Sequence, residues 1–140
     1  VMIQAQILDL LDQLKKHLNL SIVLVTHDLG LVAEICDDVL VMYGGVVAEY
    51  GSSDVIFNKP RHPYTKRLLQ AFPNISNLEA ELASIPGSPP PLDKLPPGCR
   101  FEPRCLECIP MCKTVVPPLE AVQPGHWTSC HVVQQQGEKA

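Results

Sequence analysis

The chain has no apolar run approaching the 20 or so residues needed to cross a bilayer. Its start has no basic region, apolar core and small-residue cleavage site of the kind that marks a secretory leader. A reducing, cytosolic setting is therefore expected. Excess positive charge is also missing: 11 Lys and Arg against 15 Asp and Glu give a net charge of −4, with no electrostatic footprint for nucleic acid. The pattern G-x-x-x-x-G-K-[ST] does not occur, so the chain has no phosphate-cradling loop and no Lys to reach β- and γ-phosphates. No internal repeat is found. The first residue is Val1, and Met2 already sits within a helical pattern, so the chain is expected to be the C-terminal piece of a longer protein.

At 140 residues, 46% hydrophobic and 19% charged, the composition suits one modest soluble domain, or a domain with an appendage. Ile3, Ile7, Leu10, Leu11, Leu14 and Leu18 recur at steps of three and four and predict a helix over 3–18. "SIVLVTH" follows, a short and almost wholly apolar run that suits a strand buried on both faces of a parallel sheet. A second helix carries Leu29, Val32, Ala33 and Cys36 on one face, with Thr26 as candidate N-cap and Asp28 in its first turn. In "DDVLVMYGGVVAEYG", Gly44 and Gly45 lie between β-branched runs and predict a hairpin. Asp37 and Asp38 read as a solvated turn. Ser52 or Ser53 can cap a short helix through Phe57, and "HPYTKRLLQAF" reads as a helix with Pro63 in its first turn.

From Pro73 the character changes. "IPGSPPPLDKLPPGC" is too rich in proline for a helix or a central strand and reads as an extended connector. "QQQGEKA" reads as a frayed polar tail. Between them lie cysteines spaced C-x5-C-x2-C-x3-C-x17-C: Cys99, Cys105, Cys108, Cys112 and Cys130. Clustered cysteines in a reducing compartment are more often metal or redox groups than structural disulfides. Metal binding would supply folding free energy that a proline-broken segment cannot obtain from burial. The spacing is neither the ferredoxin run nor paired zinc knuckles, so metal site, reduced structural thiols and disulfides all stay open. Cys36 reads as a small buried hydrophobe. Lys59, Arg61, Lys66 and Arg67 read as a solvated helix start, and Trp127 as the residue that packs the cysteine segment onto the rest.

His27 is placed between a strand end and a helix start. That is the carboxyl edge of a parallel sheet, where α/β proteins bind ligands, beside a helix N-terminus that favours anions. It also reads as a solvated or turn-capping His.

The stretch "VLVTHDLGLVAEICDDVLVMYGGVVAEYG" resembles the switch region of ABC transporter ATPase subunits, and "VMIQAQILDLL" the helix after their D-loop. "FNKPRHPYTKRLLQAFP" and "PPGCRFEPRC" resemble the oligopeptide/dipeptide importer branch and its C-terminal extension. The resemblance implies an α/β fold: the C-terminal portion of a P-loop NTPase (ABC ATPase) domain followed by a Pro/Cys-rich irregular extension. It divides the chain into the end of the nucleotide-binding domain at 1–72, a Pro-rich linker at 73–98 and the extension at 99–140. It also implies that His27 contacts the γ-phosphate and attacking water of ATP bound with Mg, and that a second ATP-binding subunit and membrane permease subunits are partners. The protein would sit peripherally on the cytoplasmic face of the membrane. Walker A, Walker B and the signature sequence would lie upstream, so this chain alone is not expected to hydrolyse ATP. Cys99, Cys105, Cys112 and Cys130 match the branch's four cysteines, which implies a [4Fe–4S] cluster ahead of zinc. Cys108 departs from that pattern, and His126 and His131 would be bystanders. The rival reading is a stand-alone metal or iron–sulfur binding module with a redox-sensing role.

Overall fold

The computed structural model describes residues 2–71 and 85–137. Helix α1 (Met2–Leu18) ends where Asn19 takes a left-handed conformation (φ 51°) and Leu20 N–H bonds back to Lys15 O at 3.1 Å, a Schellman closure. Helix α2 spans Leu29–Ile35. Its N-cap is Asp28, which accepts from Leu31 N, rather than the expected Thr26; the Thr26 hydroxyl instead accepts from Asp28 N–H at 3.1 Å. The two hydroxyl and carboxylate acceptors thus share the helix entry.

Strands β1 (Asp38–Tyr43) and β2 (Val46–Ser52) form the expected hairpin, with Gly44 and Gly45 both at positive φ as a two-residue turn requires. In β1 the burial alternates strictly: Val39, Val41 and Tyr43 face inward, while Asp38, Leu40 and Met42 face solvent. Helix α3 (Ser53–Asn58) is capped by Ser52, and α4 (Pro63–Gln70) by His62, whose Nδ1 accepts from Tyr64 N–H. The inward face of the hairpin packs Val39, Val41 and Ile56 against Val32 and Cys36 of α2 and Leu68 of α4.

Residues 99–137 are built of short 3-10 turns at Glu102–Arg104 and Pro110–Lys113, a hairpin of β3 (Glu120–Gln123) and β4 (His126–Thr128), and helix α5 (His131–Gly137). The sheet is four-stranded and antiparallel in the order β1-β2-β4-β3. The cysteine segment therefore extends the sheet begun by the first hairpin. Gln134–Gly137, read as part of a frayed tail, close α5 instead; 138–140 lie outside the described residues, as do 73–84 of the expected linker and Phe72 at the end of the expected helix.

The expected strand at 21–26 is not formed. Val23 and Val25 are more than nine-tenths exposed, and no described strand pairs with the segment. A strand buried on both faces draws its stability from lateral partners, and the antiparallel sheet here lies elsewhere. Exposed Leu10, Leu11, Leu14 and Leu18 of α1 share this condition. Among the described residues no helix is long and apolar enough to cross a membrane.

Candidate functional site

His27 stands exposed in the bend between the 20–26 segment and α2, directly before the Asp28 cap that fixes the helix entry. Among the described residues its side chain makes no hydrogen bond or ion pair. Asp37, weighed above as a solvated turn, is exposed and forms an ion pair with Lys15 at 2.9 Å, a polar tie between α1 and the segment after α2. That pairing raises the Lys15 amine above its ordinary range.

Among the described residues, one fully buried carboxylate was not anticipated from the sequence. Glu49 of β2 has no solvent exposure. Its Oε1 accepts Arg61 N–H at 2.6 Å, its Oε2 accepts His62 N–H at 3.2 Å, and His126 Nε2 lies 2.7 Å from Oε1. A buried carboxylate is tolerated only when its lone pairs are met. Here they are met by the backbone entering α4, where the helix's positive end adds to the attraction, and by an imidazole from β4. His126 Nδ1 is buried with no hydrogen-bond partner among the described residues. Next to this group, His62 is held well below its ordinary value, at about 4, because burial disfavours its charged form. The one local signal for Glu49 was its place in the alternation: it pairs with inward-facing Val41, a position where an acid requires a partner.

A second junction lies at the other end of the hairpin. Phe101 inserts beside Tyr43 and Tyr64, with ring centroids 5.2 and 5.3 Å away, and Tyr43 and Tyr64 stand 4.6 Å apart. Arg104 donates to the Tyr43 hydroxyl and to the carbonyls of Ile85, Pro86 and Gly87. Trp127, expected to dock the cysteine segment, pairs with Tyr50 across β2–β4, but its ring lies on the outer face and is 40% exposed.

The thiols gather around these junctions. Cys99 and Cys105 flank Phe101 and pack on the same cluster; Cys112 and Cys130 are buried; Cys108 is exposed. All are free thiols. Burial pushes the Cys99 thiol up, with Cys112 and Cys130 adding to the shift; burial pushes Cys130 up, with Cys112 adding. Cys105 is pushed up to about 12, again chiefly by burial, with Cys130, Cys108 and Cys99 adding. The four cysteines of the expected set are thus electrostatic neighbours. Among the described residues no group of three or more Cys, His, Asp or Glu side chains is placed to hold a metal ion. His126 Nε2 is engaged by Glu49 and His131 Nε2 by the Val115 carbonyl.

Residues 48–112 match the family model described as "Oligopeptide/dipeptide transporter, C-terminal region". The chain is 49% identical over 130 residues to the oligopeptide transport ATP-binding protein OppD of Salmonella typhimurium, covering 93% of this chain and 38% of that protein. It is 44% identical to the dipeptide transport ATP-binding protein DppD of Escherichia coli (94% and 40% covered) and 43% identical to DppD of Bacillus subtilis (100% and 42%). The chain spans about two fifths of the length of these curated relatives.

Proposed function

We propose that the chain is the C-terminal part of an ATP-binding subunit of an oligopeptide/dipeptide ABC transporter, and that the intact protein couples ATP hydrolysis to peptide uptake. The observation that carries this reading is the 49% identity to an oligopeptide transport ATP-binding protein over 93% of the chain. Those relatives are named for transport, which favours this reading over a stand-alone thiol sensor.

In this reading residues 1–72 end the nucleotide-binding domain, 73–98 link, and 99–140 form the extension. His27 hydrogen-bonds the ATP γ-phosphate and orients the attacking water, a role open to an imidazole that donates with one nitrogen and engages water with the other. ATP arrives with Mg, a second ATP-binding subunit completes the site, and closure is passed to membrane permease subunits at the cytoplasmic face. Cys99, Cys105, Cys112 and Cys130 would hold a [4Fe–4S] cluster, which when bound supplies one-electron chemistry or a structural staple.

The test is ATP turnover. The intact subunit is expected to hydrolyse ATP, and His27→Ala to lower kcat by at least roughly a hundredfold, on the scale of removing one positioned catalytic group. The 140-residue chain is expected to show none. Unchanged kcat in the variant removes the role from His27, and turnover by the chain alone overturns the division of labour. Anaerobic purification with iron and sulfide analysis tests the cluster separately.

A further inference from the structure

β4 is only three residues long and meets β2 at two paired positions, Glu49 with Thr128 and Tyr50 with Trp127. So short a ladder is marginal on its own. Its strongest tie is the bond between Glu49 and His126, which is charge-assisted and shut off from water. Immediately beyond, Ser129 N–H bonds Ala48 O at 2.9 Å, and Cys130 begins the buried turn into α5. The chain leading to Cys130 is therefore held in place from Glu49 outward.

We propose that Glu49 is a positioning residue that latches the extension shut over its thiols. With the Glu49–His126 bond made, β4 lies on β2, and Cys130 and its neighbour Cys112 are closed to solvent. When it opens, β4 lifts and the two thiols become accessible together to oxidants, alkylating reagents or a metal donor. The latch concerns access, so it holds whichever group the thiols bind and does not depend on the transport reading. Cys36 packs against Val39, Val41 and Ile56, and Cys108 is already exposed. Both serve as internal references.

The experiment is alkylation of the reduced, intact protein with iodoacetamide, with each cysteine followed by peptide mass spectrometry. Glu49→Gln and, separately, His126→Gln are expected to speed labelling of Cys112 and Cys130 by roughly ten- to a hundredfold, as loss of one charge-assisted bond shifts a local opening equilibrium. Cys36 and Cys108 stay at their original rates. Unchanged rates at Cys112 and Cys130 overturn the latch, and so does a parallel rise at Cys36, which signals general loosening. The unsubstituted protein gives a test that needs no variant. Hydrogen exchange at Ser129 and labelling at Cys130 should report the same opening equilibrium; Cys130 opening roughly tenfold more often than Ser129 overturns the proposal.

Discussion

Cys99 donates its backbone N–H to the carbonyl oxygen of Cys112 at 2.8 Å, and the two chains come this close because residue 98 is glycine. A Cβ at position 98 would overlap Cys112 O and stand 2.7 Å from the Lys113 carbonyl carbon and the Thr114 nitrogen, backbone atoms that cannot swing aside. Gly98→Ala is expected to cost about 1–3 kcal/mol in urea unfolding, the scale of overpacking. It should also part Cys99 from Cys112, read as faster alkylation of Cys112.

The aromatic junction yields a second prediction. Phe101 is 2% exposed and fills the space between Tyr43 and Tyr64. Phe101→Ala removes that ring and leaves a cavity, for an expected loss of about 3–5 kcal/mol. The loss should appear as a lower denaturation midpoint. A Phe101→Leu variant, which refills part of the space, should recover a large share of it.

Acid should weaken the fold through His62. Its folded pKa is lowered from 6.5 to about 4 by burial, so below pH 6.5 the unfolded chain binds the extra proton first. The stability that the neutral ring contributes is complete above pH 6.5, is lost as the pH falls toward 4, and changes no further through this group below that. The span corresponds to about 3 kcal/mol. His62→Asn keeps an N-capping acceptor and does not titrate; its urea midpoint is expected to vary less between pH 7 and pH 4 than that of the unsubstituted protein.

Arg104 offers a fourth prediction. Its planar fork serves three carbonyls and the Tyr43 hydroxyl at once. A lysine ammonium is a single compact charge and cannot span them. Arg104→Lys should therefore behave nearly as badly as Arg104→Ala in thermal unfolding. Equal stability of Arg104→Lys and the unsubstituted protein would contradict the role drawn for the guanidinium.

Local signals carried the first half of the chain well. The periodicity of α1, the Gly44–Gly45 hairpin, the Ser52 cap and the Pro63 helix start each depend on residues close in sequence, and each forms where expected. The strand at 21–26 was read from its apolar run, but a run specifies only that partners are wanted. β3 and β4 are too short, and too close to Pro117, Pro118 and Pro124, to announce themselves. The pairing of Glu49 with His126 joins positions 77 apart in sequence, and no window spans it. The cysteine set was read from spacing and resemblance. That the thiols gather at the two junctions depends on tertiary packing, which spacing does not encode.

The β2–β4 pairing also sets an order of events during synthesis. β1 and β2 can zip as a hairpin as soon as they emerge, since their residues are neighbours in the chain. The other flank of β2 waits until Thr128 has been made, 80 residues after Ala48, whose carbonyl it bonds. Until then Glu49 has Arg61 and His62 for partners but not His126, and β2 offers an open edge to any passing strand. Closing so long a loop is slow relative to local steps. The interval between translation of residue 52 and residue 128 is therefore when this protein is most exposed to misassembly, and a ribosome stalled within it would hold the sheet half-built.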